Sequence, residues 1–433
     1  MRTLAFVIGG WLGSAALVVH AEPAPPDTPE PPAPAPAPAP PAHAAAAPPV
    51  VTAQVSDPPP PTESISATPA TSPAAAPEAT ASPNPLTMAG ITVSGSLDAY
   101  ASFNPARNAN SSGPNGLYAF ETQANGASVS LAKITLERKP APVGFRLDVG
   151  FGSTIDVVNS TDTAAGMGHD VMRNLEQAYV AWAATPSLTL KVGKMVTHHG
   201  FEVIESQGNW NYTRSLLFSW AIPFTQTGIS ADWVVNDKLE ASLYVVNGLN
   251  NTFEGNAFKS PGLQVIYKPT SALTLTQNFS AFNEQPGDKG GLTRFDQAVY
   301  LFDTIATYTI SDAFEVAVNS DVGYDATLPS DKVFAGIAAY GRWHPSSKTA
   351  VSARAEYFHD NDSPTLGILL PMKGNITEGT ATFSYAPATG LLLRAEARVD
   401  RGLGGYKPFT DRMGTMYSAA QQATLVLGAV AAF

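Results

Sequence analysis

From Ile91 to the end of the chain, apolar and polar residues alternate one by one. Ile91–Phe103 puts Val93, Leu97, Ala99 and Phe103 on one face and Thr92, Ser94, Ser96 and Asp98 on the other. In Gly144–Gly152, Phe145, Leu147, Val149 and Phe151 oppose Arg146 and Asp148. In Lys238–Asn247, Leu239, Ala241, Leu243 and Val245 oppose Glu240, Ser242 and Tyr244. Lys348–His359 and Gly390–Asp400 repeat the pattern, with Ser352, Arg354 and Glu356, then Arg394, Glu396, Arg398 and Asp400, on the polar face. Successive side chains of a strand point to opposite sides, so this period predicts strands with one apolar and one polar face.

A soluble sandwich also alternates, and the connections separate the two cases. Short turns fall at Lys139–Pro142, Thr185-Pro186, Asn236-Asp237, Pro269–Ser271, Ser311-Asp312, His344–Ser347 and Pro387–Gly390. Between them lie long loops at 104–127, 153–173, 196–226, 248–260, 283–293, 325–332, 360–375 and 401–419. Short turns on one rim and long loops on the other predict an all-β, antiparallel, up-and-down transmembrane barrel of about sixteen strands. Trp182, Trp233, Tyr267, Tyr308, Trp343 and Tyr385 stand beside the short turns, where a girdle at the lipid headgroups needs amphipathic rings.

Composition agrees with a chain that faces lipid. Only 14% of the 433 residues are Asp, Glu, Lys or Arg, and there is no Cys to form a disulfide. Past residue 21 no apolar run is long enough for a membrane-crossing helix. Met1–Ala21 reads as a secretory signal: Arg2, then an apolar run, then Val19-His20-Ala21 before a cut at Glu22. Residues 22–90 form a Pro/Ala tract, an expected disordered periplasmic linker of extended character, because proline fixes φ and removes a donor. Its acids are Glu22, Asp27, Glu30, Asp57, Glu63 and Glu78. Removing these six and Arg2 from the net charge of −11 leaves −6 for residues 91–433. A modestly acidic barrel favours cations slightly where those charges reach the lumen.

The chain closes with Leu425, Leu427, Ala429, Ala431 and Phe433 on one face. An alternating last strand with a terminal Phe resembles the signal read by the barrel-assembly machinery of outer membranes. The stretch Val192–Thr227 interrupts the pattern with a long insert. It and its flanks carry Val192-Gly193-Lys194, Gly200-Phe201-Glu202, Asn209-Trp210, Tyr212, Arg214–Phe218, Pro223-Phe224-Thr225, Thr227-Gly228 and Val246-Asn247-Gly248. In these motifs the chain resembles the β-barrel porin-2, or OmpL-like, family, as far as roughly Phe282; beyond it only the barrel pattern matches. The resemblance implies an outer-membrane pore, contact with outer-membrane lipid and no resident cofactor. It carries no substrate. Porins of this size are often trimers, so a homotrimer is one assembly it implies; the residues leave oligomeric state open.

A barrel of this strand number leaves an aqueous channel. Charge facing lipid costs roughly 2–4 kcal/mol at mid-membrane, so strand charges should face inward. That assigns Lys133, Arg146, Asp148, Lys191, Asp232, Glu240, Asp303, Glu315, Arg354, Glu356, Arg394, Glu396 and Arg398 to the pore wall. Neighbouring opposite charges there can brace the wall, shape the field in the pore, or both. Loop 196–226 is the third long loop, and in general porins the third loop folds inward and narrows the channel. Glu202, Glu205, Asn209, Tyr212 and Arg214 are the candidate constriction residues. An outward loop would leave Trp210, Tyr212, Leu216, Leu217, Phe218 and Trp220 in water.

His198 and His199 do not read as a metal site, because adjacent residues on an extended segment point opposite ways. No Gly-x-Ser-x-Gly, His-Glu-x-x-His or P-loop is present, and nothing suggests nucleic-acid binding. The function expected is passive diffusion of small hydrophilic solutes or ions through an outer-membrane channel. Two other readings stand beside it: a structural barrel whose 22–90 arm contacts the cell wall, and a barrel hydrolase. The hydrolase needs a nucleophile and base, and His169, His198, His199, His344 and His359 carry no recognisable partner motif.

Overall fold

The computed structural model describes residues 86–433 apart from 89, 107–114, 161–171, 255, 257, 284–297, 327–331, 361–373, 412–414 and 416. The expected signal segment and the linker up to residue 85 lie outside the described residues, as does His169. The strands are β1 (Leu86–Met88), β2 (Ile91–Phe103), β3 (Asn125–Arg138), β4 (Val143–Phe151), β5 (Leu175–Thr185) and β6 (Leu188–Val196). They continue as β7 (Thr225–Asn236), β8 (Leu239–Val246), β9 (Ser260–Tyr267), β10 (Leu273–Phe282), β11 (Val299–Ser311) and β12 (Phe314–Asp325). The last are β13 (Lys332–Ser346), β14 (Thr349–Asp360), β15 (Gly374–Ala388), β16 (Leu391–Leu403) and β17 (Gln421–Ala432). One short helix, α1 (Ser153–Val158), follows β4.

Each strand from β2 to β17 pairs antiparallel with the next, and β17 pairs back onto β2, from Leu425↔Phe103 to Ala432↔Ser96. The ring of sixteen is therefore closed, and β1 is a three-residue appendage on the first turn of β2. Closure leaves no unpaired edge, which the hydrocarbon layer would penalise. The seam ends at Phe433, whose amide donates to Gly95 O (3.0 Å) and whose carbonyl accepts from Gly95 N (3.1 Å). A Cβ at position 95 would stand 2.6 Å from the Phe433 ring, so only glycine lets the terminal ring lie on the wall.

The two faces follow the alternation. Leu243, Phe151, Leu425 and Leu427 point outward, Leu427 at 64% exposure. Trp182, Trp233, Tyr267, Tyr308, Trp343 and Tyr385 are exposed in a band beside the short turns. The inner face is polar and largely buried, from Asp98 and Lys133 round to Arg398 and Asp400. Small shifts of register occur where a strand meets its turn, as at Thr309/Ser311 and Trp343/Ser346. No helix among the described residues is long and apolar enough to cross a membrane.

Candidate functional site: the inward loop and the charged wall

The loop between β6 and β7 fills part of the ring. Its chain turns through Ser206–Gly208 in a single 3₁₀ turn and through Leu217–Ala221 in a wide helical turn. Trp210, Tyr212, Leu216, Leu217, Phe218, Ala221 and Ile222 are buried, and Trp220 is half-buried. All but Tyr212 pack with Phe282, Leu301, Ile305, Phe334 and Phe358 from the inner wall, and Tyr212 packs with Tyr100 and Val426. Tyr212 lies against the backbone of β17: a Cβ on Gly428 would come within 2.3 Å of its ring.

Apolar packing is half of the attachment. The other half is a ladder of wall charges that grips the loop's backbone. Glu396 accepts from Tyr212 N (2.5 Å) and Thr213 N (3.0 Å), while also accepting from the Thr213 and Thr382 hydroxyls at 2.5 and 2.6 Å. Glu356 accepts from two consecutive amides, Leu216 N and Leu217 N, each at 2.7 Å. These amides open the wide helical turn and lack partners within it, so a carboxylate there is favourable. Arg394 donates to Ser206 O (2.6 Å), Asn209 O (2.6 Å) and Asn211 O (3.2 Å). Arg398 donates to Arg214 O (2.6 Å) and to Asp400 (2.7 Å). Arg354 joins Glu202 (2.7 Å), Glu378 (2.8 Å) and Thr213 O (2.7 Å). Charge-assisted bonds in a dry setting are stronger than neutral ones, on the order of 1.5–3 kcal/mol each.

The loop's entry is held on the neighbouring strands β11 and β12. Asp303 accepts from Gly200 N (2.6 Å), and Asn319 accepts from Phe201 N (3.0 Å). On β2, Asp98 accepts from the Ser206 and Tyr212 hydroxyls, both at 2.6 Å. Glu205 meets the Lys133 ammonium, which also stands 3.3 Å from Glu176 and 3.6 Å from Asp148. The carboxylates of Asp148, Glu176 and Glu205 lie within 4.8 Å of one another, a spacing that suits a metal ion. The Lys133 ammonium stands among them and supplies the positive charge itself. Burial alone would push the Glu205 carboxyl up; the Lys133 charge outweighs that and holds it at about 2.

The five candidate constriction residues thus come together, and their parts differ. Glu202 bridges Arg354 and Ser215 N (2.6 Å). Asn209 closes the loop on itself, accepting from Val203 N and donating to Val203 O at 2.8 Å each. Arg214 donates to Tyr212 O (2.5 Å), Val203 O (3.2 Å) and Glu121 (3.2 Å). Glu202, Asn209, Tyr212 and Arg214 are at most 4% exposed, and of the five only Glu205 is half-buried. All thirteen candidate wall residues lie on the inner face. Lys133, Asp303, Arg354, Glu356, Arg394, Glu396 and Arg398 touch the loop directly. Arg146 and Asp148 bond each other, Lys191 pairs with Asp232, Glu240 with Lys268, and Glu315 with Arg342.

His198 and His199 depart from expectation: their rings are 4.2 Å apart on the same side, not opposed. The chain is not extended there, because His199 N donates to Thr197 Oγ1 (3.1 Å) and Gly200 takes a φ of 89°. His198 stacks on Tyr244 at 3.9 Å and bonds Gln226 at 2.9 Å. His199 Nε2 lies 2.8 Å from Ser280 Oγ, and its Nδ1 is 3.9 Å from Asp303, beyond hydrogen-bond reach. Asp303 already accepts three N–H donors, from Gly200, Asn278 and Asn319. The serine, histidine and aspartate are all buried, so the group serves as a polar anchor for the loop's entry. Burial pushes His198 down to about 4 and His199 well below its ordinary value, the latter helped by its neighbour, so both rings are neutral.

The thirteen candidate wall residues leave out several partners. Glu378 on β15 and Asp400 on β16 complete the ladder, and Glu378 stands on a readable polar face with Thr380, Thr382 and Ser384. The first long loop also folds in. Phe120 packs on Phe218 and Phe224 at 5.8 and 5.7 Å, Glu121 meets Arg214, and Trp220 donates to Leu117 O (3.0 Å).

Comparisons with known proteins bear on this arrangement. A family model described as "Putative beta-barrel porin-2, OmpL-like" matches residues 90–433. No curated protein matches the chain. Among solved structures, an anion-selective porin from Comamonas acidovorans is similar at TM-score 0.53 and 9% identity, over 79% of this chain and 99% of that one. The outer-membrane channel DcaP of Acinetobacter baumannii is similar at 0.52 and 10%, over 80% and 99%. OmpT of Vibrio cholerae, an outer-membrane protein, is similar at 0.50 and 13%, over 81% and 100%. At such identities the likeness speaks for the fold alone.

Proposed function

The chain belongs to the OmpL-like β-barrel porin-2 family, and from that premise we propose that it is an outer-membrane channel for passive diffusion of small hydrophilic solutes and ions. The observation that carries this reading is the closed ring of sixteen strands with an apolar outside and a charged inside. A ring of that size encloses more space than wall side chains fill. The β6–β7 loop narrows it. Glu202, Asn209, Tyr212 and Arg214 act as the loop's internal and wall-side fastenings, and the half-buried Glu205 is the member that faces the remaining space.

The chemistry of this reading is non-covalent: the wall holds a shaped opening, and solutes pass by diffusion. Lipid surrounds the apolar belt, and the strand ending at Phe433 is the part offered to the barrel-assembly machinery. A signal segment at 1–21 directs export, residues 22–90 extend into the periplasm toward the cell wall, and the barrel assembles as a homotrimer. The test is planar-bilayer recording of the purified chain. Discrete, ohmic current steps are expected; a silent bilayer with correctly folded protein would refute the channel and favour a closed structural barrel.

A further inference from the structure

The inner wall carries two kinds of charge. On β14–β16 the ladder side chains are sealed: Arg354 and Glu378 are both 0% exposed at the side chain, as are Arg398 and Asp400. Their charge is spent on the loop's backbone and on each other. A second set stands near the short-turn rim, on β3, β4 and β6–β8 and just past β9, and its hydrogen bonds and ion pairs go to other wall residues rather than to the loop. It runs Glu137 (β3), Arg146 (β4), Lys191 (β6), Asp232 (β7) and Glu240 (β8) to Lys268, the first residue past β9. On β5 the gap is filled by Tyr179, whose ring lies 5.6 Å from the Lys191 ammonium.

Register makes this a continuous band. Glu137 is the direct cross-strand partner of Arg146, and Arg146 of Tyr179. Asp232 faces Ser242, one inward position from Glu240. The ion pairs along it are Lys191–Asp232 at 2.7 Å and Lys268–Glu240 at 2.6 Å, with Arg146 and Glu137 at 4.0 Å. These side chains keep between 19% and 35% of their surface open, unlike the ladder. Each alternates with an outward apolar neighbour, such as Val192, Trp233 or Tyr267, so the open surface faces the lumen.

We infer that this collar at the short-turn rim sets the balance between cations and anions, while the ladder on β14–β16 positions the loop and contributes little to selectivity. The inference rests on the channel reading above. A charge acts on a passing ion through the water it shares with it. Charges of both sets are paired, but the ladder is sealed beneath the loop, whereas a fifth to a third of each collar side chain is open to the permeating solution. The collar has three acids and three bases, so the unaltered channel passes cations and anions with only a weak preference.

The experiment is the reversal potential across a planar bilayer holding a potassium chloride gradient. Asp232→Asn with Glu240→Gln leaves Lys191 and Lys268 unbalanced and should move the potential toward the anion limit. Lys191→Gln with Lys268→Gln should move it toward the cation limit. The two double variants should differ by roughly tenfold in cation-to-anion permeability ratio. Amide side chains keep the hydrogen bonds, and either double variant alone suffices if the other fails to fold. Steps of normal size with an unchanged ratio in a folded double variant would overturn the collar while leaving the channel standing. Absence of steps from the unaltered chain would overturn the channel reading and this one with it.

Discussion

Replacing Glu396 by alanine is expected to release the middle of the inward loop. Glu396 is 3% exposed and accepts two backbone amides and two hydroxyls. Alanine leaves those four donors without a partner in a dry site, and it removes the negative charge that lies among Arg394, Arg398 and the loop. Breaking such a buried set costs about 3–5 kcal/mol. At about 1.4 kcal/mol per tenfold, the undocked population should rise by roughly a hundredfold or more. Trypsin reads this directly. The bond after Arg214 is protected while that residue is 1% exposed, and it should be cut in the folded variant but not in the unaltered chain. Glu396→Gln keeps one acceptor oxygen and should show a much smaller increase. Equal resistance of all three proteins would mean that apolar packing alone holds the loop.

Removing Arg354 should be as severe. Its guanidinium joins Glu202 of the loop to Glu378 of β15, and all three side chains are nearly or wholly buried. Arg354→Met keeps volume but takes the bonded cation from two buried carboxylates, leaving Glu202 only Ser215 N and Glu378 only Thr380 and the more distant Arg398, which is expected to destabilise by about 3–5 kcal/mol. A triple variant that also carries Glu202→Gln and Glu378→Gln replaces the stranded charges with neutral groups and should recover most of the loss. The measurement is the urea midpoint of the lipid-reconstituted barrel, or the temperature at which its compact form is lost on an electrophoresis gel. If the single and triple variants unfold together, the triad is not an electrostatic unit.

The strands and both rims could be read from the sequence because they depend on local quantities, a period of two and the length of each connection. The inward loop was also readable, since Trp210, Tyr212 and Leu216–Phe218 would be costly in water. The same signal stands in the first loop at Leu117–Phe120, and its packing on Phe218 and Phe224 follows the same logic. What could not be read is which wall group grips which part of the loop. Glu396 meets Tyr212 and Thr213, and Glu356 meets Leu216 and Leu217, across the width of the barrel. Those pairings depend on shear and on the path of the loop, neither of which alternation encodes. The same holds for the division of the wall into a sealed ladder and an open collar. Arg398 and Lys191 look alike as inward charges on a strand, and only the loop's position separates them.

The central claim is that a closed barrel encloses water and that the β6–β7 loop narrows it. Single-channel conductance of the intact chain, set beside a chain lacking 198–224, tests it most directly. The account predicts discrete steps from both, with steps about twofold or more larger in the shortened chain, because the removed segment occupies the lumen. Steps of the same size from both proteins would contradict it.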